Sequence, residues 1–238
     1  MNVDAAFASL KAAPLLWLLV TGLAYLLAEK LFRKSGHNPL LHPVLVAIAL
    51  IIVVLSVARV PYPDYFSGAR LLHLLLGPAT VALAVPLYDN LQRVRSLLVP
   101  LSVSLLVGGV TGIVSALLLG KLFGLSWPVQ VSFAPKSVTT PIAMALADKL
   151  GGLAPLTANL VIITGILGAI IVVPLMRWLK VTGEIEQGLA LGVAAHGVGT
   201  ARGFQLSTTT GAFSGLAMGL NGVLTSIVLP VILAFWPH

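Results

Sequence analysis

The chain has 238 residues, of which 58% are apolar and only 9% are charged, and its mean hydropathy is +1.04. A soluble domain carries about a quarter charged residues, so the composition excludes an ordinary soluble protein and predicts an all-α polytopic membrane protein. Because cysteine is absent, disulfides and thiolate metal sites are excluded. The net charge of +7 is typical of basic loops that set membrane topology, and we expect no nucleic-acid partner.

A membrane-spanning helix needs about 20 apolar residues, and the chain offers about seven to eight hydrophobic segments. We expect a single integral domain over residues 1–238, with no cleavable signal peptide and no soluble appendage. Residues 59–66, rich in proline and aromatic side chains, are predicted to form an interfacial loop. The predicted segments are 14–32, 40–58, 67–88, 96–119, 127–150, 154–176, 187–204 and 212–235.

Three of these segments carry residues that a simple membrane helix does not need. Residues 67–88 are interrupted at Gly77–Thr80 and again at Pro86. Residues 133–141 read Phe-Ala-Pro-Lys-Ser-Val-Thr-Thr-Pro, and residues 194–202 read Ala-Ala-His-Gly-Val-Gly-Thr-Ala-Arg. Proline blocks helix continuation, and the freed backbone groups need partners other than lipid. The pattern therefore predicts broken or re-entrant helices.

A weak internal repeat connects residues around 77–119, 134–176 and 195–235. Interrupted segments in matching positions favour an inverted repeat and point to a transporter binding site. Basic residues test the topology: Arg177 and Lys180 reach the cytoplasmic side only if residues 127–150 turn back as a re-entrant hairpin. The hairpin is favoured, and a broken helix that crosses fully is the alternative.

Lys136 is the main candidate binding residue. It lies about ten residues from either end of its segment, which makes snorkelling to an interface difficult, and its other structural role is an ion pair with Asp148. As a functional residue, we expect it either to hold an anionic ligand or to neutralise a nearby helix end. Ser137, Thr139 and Thr140 either bond to helix carbonyls or donate hydrogen bonds to a carboxylate. Amide groups at the start of a half-helix add a positive dipole end.

His196 is either a hydrogen-bonded core histidine or a proton carrier, since the ordinary pKa of histidine lies near physiological pH. Gly197 and Gly199 open the backbone around it. Thr80 and Asn221 are typical of interhelical hydrogen bonds, and Arg202 is typical of a helix end that contacts lipid phosphate. The predicted substrate-binding residues are Lys136, Ser137, Thr139, Thr140, His196, Gly197, Gly199, Thr200 and Thr80, with Arg202 and Asn221 as secondary candidates.

The sequence shows no nucleophile elbow, no phosphate-binding loop and no zinc-binding helix motif. The few carboxylates outside the first span, including Asp89, Asp148, Glu184 and Glu186, lie near segment ends rather than in a buried pair. We therefore expect neither an enzyme nor an ATP-driven pump, and no metal or cofactor.

From about Asn38 onward the chain resembles the LrgB/CidB family. The resemblance rests on residues 65–68, 76–88, 135–143 and 196–201, of which the string Pro-Lys-Ser-Val-Thr-Thr-Pro over 135–141 is the most specific. The sequence departs from the family at His42, where the family typically has asparagine. That departure puts any role for position 42 in doubt.

The resemblance implies two different functions. Bacterial members are described as antiholin-like modulators of murein hydrolase activity that work with a small LrgA/CidA-type partner. The plastid relative exchanges glycolate and glycerate, and some bacterial members are linked to pyruvate. The broken segments favour a transporter of small carboxylates, with Lys136 on the carboxylate and His196 in proton coupling. An LrgA-like partner acting in trans, a homodimer and a bacterial inner-membrane location are further expectations.

Overall fold

Ten helices form the regular structure of the residues that the computed structural model describes, which are 14–36, 41, 43–82, 85, 88 and 91–236. The predicted all-helical class is confirmed for this part of the chain. Backbone contacts divide the chain into two compact units, Met1–Ala82 and Leu83–His238. The helices are α1 (Pro14–Lys34), α2 (Pro43–Ala58), α3 (Tyr62–Ala82), α4 (Leu91–Ser96), α5 (Leu98–Leu122), α6 (Trp127–Phe133), α7 (Thr140–Lys149), α8 (Ala154–Trp178), α9 (Glu184–Leu206) and α10 (Thr208–Ala234).

In the first unit, α1 packs against both α2 and α3. The ring of Trp17 meets Tyr65 edge-on, with 5.9 Å between ring centroids, and the Thr21 hydroxyl lies 3.0 Å from the Tyr65 hydroxyl. Tyr65 belongs to α3, so the loop predicted over residues 59–66 is wrong from Tyr62 onward. Pro61 and Pro63 mislead the prediction, because proline is well tolerated at the start of a helix.

The interruptions predicted in residues 67–88 have different outcomes. The backbone of α3 stays helical through Pro78 to Ala82, so the segment Gly77–Thr80 does not end the helix. The second interruption, at Pro86, lies outside the described residues, as does position 42.

Four of the described helices, α1, α5, α8 and α10, are long and apolar enough to cross a membrane. They support an integral membrane protein. The predicted count of seven to eight segments and the inverted repeat stay predictions.

Helices α6 and α7 fold back on each other around the turn at residues 134–139. The Leu153 backbone N–H, just beyond α7, donates to the Ser132 hydroxyl of α6 at 2.7 Å. A Cβ added at Gly152 would lie 3.1 Å from the Val131 side chain. In one continuous helix, Ser132 and Leu153 would be about 30 Å apart. The chain therefore reverses direction, and we call residues 127–149 hairpin 1.

Hairpin 1 reaches the middle of α5. Near its base, Gln130 lies against Gly120 in the last turns of α5, and at its tip Lys136 reaches Gly112, about two turns earlier. Residues 127–149 therefore form a helical hairpin and not one continuous helix, as the favoured alternative requires. Its re-entrance into a membrane stays a prediction.

Helix α9 is also folded in two. Gly188 and Gly203 both lie against the Thr210 carbonyl at the start of α10, at 2.6 and 3.1 Å from an added Cβ. A straight helix would separate these two glycines by about 22 Å. The backbone leaves the helical conformation at His196, with φ 40° and ψ −128°. The predicted break is confirmed, and we call residues 184–206 hairpin 2, with a first arm (184–195) and a second arm (197–206).

The two hairpins enter the second unit from opposite ends. One apolar cluster joins Leu117 near the end of α5, Val131 of hairpin 1 and Leu229 near the end of α10. Another joins Leu101 at the start of α5 and Phe213 at the start of α10, and Ile185 and Leu189 of hairpin 2 pack against it. Because α5 and α10 each run from the second cluster to the first, the base of each hairpin lies at a different end.

Candidate functional site

The tip of hairpin 1 is built by its prolines. Pro135 follows the end of α6, and Pro141 stands in the first turn of α7, where its missing N–H is not needed. The chain makes a tight turn at residues 134–139. In this turn the Lys136 N–H donates to the Phe133 carbonyl at 3.1 Å, and the Val138 N–H donates to the Pro135 carbonyl at 3.2 Å. This turn holds Lys136 at the tip.

The Lys136 ammonium group donates to the Gly112 carbonyl of α5 at 3.3 Å. In the part of the chain that the structure describes, no carboxylate pairs with it, so the predicted ion pair with Asp148 does not form. An ammonium group has three protons to donate, and only one is used here. The other two donors have no partner among the described residues.

Asn221 of α10 connects the two hairpins. Its side-chain amide nitrogen donates to the Ser137 carbonyl at 3.3 Å and to the Val193 carbonyl at 3.4 Å. The side chain is 1% exposed, and its Oδ1 atom has no partner among the described residues. The predicted interhelical role of Asn221 is confirmed, and its partners lie on both hairpins.

The tip of hairpin 2 is His196, whose positive φ is a conformation that side chains rarely adopt. Its Nε2–H group donates to the Val161 carbonyl of α8 at 2.9 Å, since a carbonyl can only accept. The ring lies over Gly165, where an added Cβ would be 2.7 Å from Cε1. The Thr200 hydroxyl donates to the His196 carbonyl at 3.0 Å.

Val161 is the second point at which the tips converge. Its side chain packs with Val138 and Ala143 of hairpin 1, while its carbonyl binds His196 of hairpin 2. The two broken segments that the sequence singles out are therefore neighbours in space. Asn221 and Val161 hold them together from α10 and α8.

A cavity of about 770 Å³ extends from the hairpin tips between α5, α8 and the first arm of hairpin 2. Lys136 and Ser137 line the cavity at the tip of hairpin 1, and Val193 and Ala194 line it from hairpin 2. Glu186, one of the lining residues, lies near the base of hairpin 2. Among the described residues, the lining thus contains one cation, Lys136 at the hairpin tips, and one anion, Glu186 near the base of hairpin 2.

The structure separates the predicted binding residues into groups. Lys136 and Ser137 line the cavity. Thr139 immediately precedes α7 and Thr140 begins it, and neither residue lines the cavity. His196 faces α8, and Thr200 faces Ser214 and Met218 of α10. Gly199 packs against the Leu191 carbonyl in the opposite arm, and Gly197 is exposed. Arg202, whose side chain donates to Gln205, lies on the second arm near the base of hairpin 2.

Thr80 belongs to the first unit, and its side chain lies outside the described residues. Its predicted binding role stays a prediction. Among the described residues, no group of three or more His, Asp or Glu side chains could hold a metal ion.

Sequence reasoning missed four polar residues in the lining. Ser104 and Thr111 of α5 share a helix face with Gly108, and Thr164 of α8 shares one with Gly168. Helical spacing of hydroxyl and glycine positions was the available signal. Glu186 was noted only as a segment end.

A family model described as the LrgB-like family matches residues 21–235. Among curated relatives, the uncharacterized protein YwbG of Bacillus subtilis is 36% identical over 92% of this chain and 96% of its own length. The holin-like protein CidB of Staphylococcus aureus is 33% identical over 92% of this chain and 95% of its own length. No solved structure matches the chain significantly.

Proposed function

We propose that this chain, which belongs to the LrgB-like family, is a secondary transporter of small carboxylates such as glycolate, glycerate or pyruvate. The observation that supports this most is the Lys136 ammonium group, which lines a cavity at the meeting point of two re-entrant hairpins and pairs with no described carboxylate. Charged groups inside a membrane domain are costly and usually functional. An anionic substrate is the partner that such a site lacks.

The proposed contacts begin with the substrate carboxylate on Lys136 and on the Ser137 hydroxyl, both of which line the cavity. The α7 amide groups beginning at Thr140 add a positive helix end behind them. Thr139, Gly197, Gly199 and Thr200, which the sequence predicts as substrate-binding residues, support the two tips in this proposal and do not contact the substrate. His196 carries the proton in this proposal, because Nδ1 remains free to titrate while Nε2–H holds the Val161 carbonyl.

A reciprocal packing pattern supports the proposed inverted repeat. Helix α8 follows hairpin 1, and its Gly165 receives the ring of His196 from hairpin 2. Helix α10 follows hairpin 2, and its Gly222 receives Ile142 from hairpin 1. Each helix thus accommodates the opposite hairpin. Repeats of this kind commonly place the substrate at their interface and alternate its access between the two sides.

Uptake by proteoliposomes tests the proposal. Purified protein should carry radiolabelled glycolate or pyruvate into vesicles with saturable kinetics. Lys136→Ala should abolish this uptake, because it removes the only cation among the described residues of the cavity lining. Lys149→Ala is the matched control, since Lys149 is exposed at the end of hairpin 1, and it should transport normally. Equal uptake in the wild type and Lys136→Ala would contradict the role of Lys136.

A second candidate function is favoured by the similarity to the holin-like protein CidB of Staphylococcus aureus. In that case the chain would act as an antiholin-like regulator of murein hydrolase export, with an LrgA/CidA-type partner in trans in the bacterial inner membrane. Vesicles that hold a fluorescent dye separate the alternatives. A transporter retains the dye while it accumulates carboxylate, whereas a holin-type assembly releases the dye and forms large oligomers.

A further inference from the structure

The cavity is open along one side of the second unit. Among the described residues, α5 and α8 each pack along hairpin 2, and no extended packing joins α5 directly to α8. Leu167, Ile171 and Leu175 of α8 line the cavity, yet each of them is between 44% and 51% exposed. Because α8 is long and apolar enough to span a bilayer, we expect this open side to face lipid.

The apolar wall of the open side ends at two cations. Arg177 directly follows Met176, the last residue of α8 that lines the cavity, and its side chain is exposed. Arg202 of hairpin 2 lies close enough for the two guanidinium groups to repel each other. Trp178 is 78% exposed beside them, and tryptophan is enriched at the headgroup level of membranes. The open side therefore ends where an anionic headgroup would relieve the repulsion.

The charges of the second unit are unevenly divided between its two ends. Val94 of α4 packs with Leu101 and Phe213, so α4 lies at the same end as the base of hairpin 2. Among the described residues this end carries five cations and two anions, of which Glu186 folds back over Gly183. The residues are Arg93, Arg95, Arg177, Lys180, Arg202, Glu184 and Glu186 here, and Lys121, Lys149 and Asp148 at the opposite end.

The length of the open side matches one leaflet. Arg177 lies ten residues after Leu167 in α8, which is about 15 Å along the helix. The hydrocarbon core of a bilayer is about 30 Å thick, so one leaflet contributes about half of that. Gly168, next to Leu167, lies against Ala195 at the tip of hairpin 2. An acyl chain whose headgroup lies at Arg177 therefore reaches the level of the hairpin tips.

We propose that the open side of the cavity binds one acyl chain of an anionic phospholipid, whose phosphate group lies on Arg177 and Arg202. The tail lies between α5 and α8 along Leu175, Ile171 and Leu167, and it closes the cavity toward the bilayer. Guanidinium groups suit phosphate because they donate two parallel hydrogen bonds to it. This inference concerns the lipid-facing side of the cavity and does not depend on carboxylate transport.

Native mass spectrometry of the delipidated full chain tests the headgroup site. The added lipids are palmitoyl-oleoyl phosphatidylglycerol (POPG), which is anionic, and the matching phosphatidylcholine (POPC), which is zwitterionic and has the same tails. The wild type should retain one POPG molecule in preference to POPC. One cation near a membrane surface contributes about a fivefold preference for anionic lipid, so Arg177→Ala/Arg202→Ala should lower the preference about 25-fold.

Arg93→Ala is the matched control for the headgroup site. Arg93 is an exposed cation at the same end of the unit, and it does not line the cavity. This variant should keep the preference of the wild type. An equal loss of preference in Arg93→Ala and in Arg177→Ala would mean that the basic end attracts anionic lipid in general, and it would overturn the assigned site.

Fluorescence quenching locates the tail. The chain has no cysteine, so Ala190→Cys in the cavity lining and Ile227→Cys on an exposed face of α10 can each carry a single bimane label. In POPC vesicles that contain a small fraction of tail-brominated lipid, brominated POPG should quench Ala190→Cys more than brominated POPC does. Both should quench Ile227→Cys equally. Equal quenching of Ala190→Cys by the two lipids, or none by either, overturns the proposal.

Two competing occupants give further outcomes in the same mass spectra. Glycerol phosphate, a headgroup fragment without a tail, should not displace POPG when the two are present at equal concentration. Displacement would reduce the feature to a phosphate site and would overturn the role of the tail. A protein dimer that excludes POPG would mean that a second copy of the chain covers the open side, and it would also overturn the proposal.

Discussion

The two hairpins reach the same place by different turns. Hairpin 1 reverses over the six residues 134–139, which contain Pro135 and lie just before Pro141, and it carries Lys136 into the cavity lining. Hairpin 2 reverses at the single residue His196, in a backbone conformation that favours glycine, and its ring binds α8 rather than the cavity. In the proposed transporter this difference gives the tips distinct tasks: the first tip presents Lys136 to the carboxylate, and the second tip is anchored to α8 through His196.

Opposite entry of the hairpins gives the prediction with the largest effect. The chain has no native cysteine, so single cysteines can be introduced without background labelling. Ser126→Cys at the base of hairpin 1 and Thr208→Cys at the base of hairpin 2 are both exposed positions. In vesicles of uniform orientation, a membrane-impermeant thiol reagent should label one of these cysteines only from the outside and the other only from the inside. Labelling of both from the same side would contradict the opposed arrangement.

Backbone strain at His196 gives the next largest effect. Both His196→Gly and His196→Ala lose the hydrogen bond to Val161, but only glycine adopts φ 40° without steric cost. We expect His196→Gly to be more stable than His196→Ala by about 1–2 kcal/mol, measured by denaturant titration in detergent. At Ala201, which lies in the helical second arm, the order should reverse, so that Ala201→Gly is less stable than the native alanine. Equal unfolding free energies of His196→Gly and His196→Ala would contradict a strained backbone at this turn.

Sequence reasoning predicted hairpin 1 better than the cavity. The prolines and Lys136 are close in the chain, and local rules for proline and intramembrane charge suffice to identify the turn. The walls come from α5 and α8, so Thr111 and Thr164 meet Lys136 only after folding. No local pattern states which face of an apolar helix turns toward a partner, and these residues were therefore missed.

His196 shows the same limit of local sequence patterns, because its backbone break was predicted and its side-chain partner was not. Its glycine neighbours predicted a break in the helix, and the break is confirmed. Its side chain lies outside the cavity lining because it binds the Val161 carbonyl. Val161 is 35 residues away in sequence, so no local pattern predicts this contact. A site predicted as one group of residues is divided in the fold into a charged cavity wall and a set of supporting contacts.

Asn221 is shared by both hairpins, so its substitution should affect both. Asn221→Ala removes two interhelical hydrogen bonds, and bonds of this kind contribute about 0.6 kcal/mol each within membranes. We expect a loss of about 1 kcal/mol in unfolding free energy together with a lower maximal rate of carboxylate uptake. Ser226→Ala is the control, since Ser226 bonds only within α10. A variant that unfolds and transports like the wild type would show that the tips are held by other contacts.

Proton coupling through His196 gives the smallest expected effect. His196→Gln keeps an N–H donor for the Val161 carbonyl but does not titrate near neutral pH. An inward proton gradient should accelerate uptake several-fold in the wild type and not in this variant, while exchange without a gradient continues. The same acceleration in His196→Gln would assign the proton to another group.

The central claim is that a carboxylate binds beside Lys136 and Ser137, where the hairpin tips meet. Ser137→Cys places the only thiol of the chain in this part of the cavity lining. Glycolate or lactate should slow the reaction of this thiol with a small alkylating reagent and should leave Ser126→Cys, at the base of hairpin 1, unaffected. Equal alkylation of Ser137→Cys with and without saturating carboxylate would contradict the account.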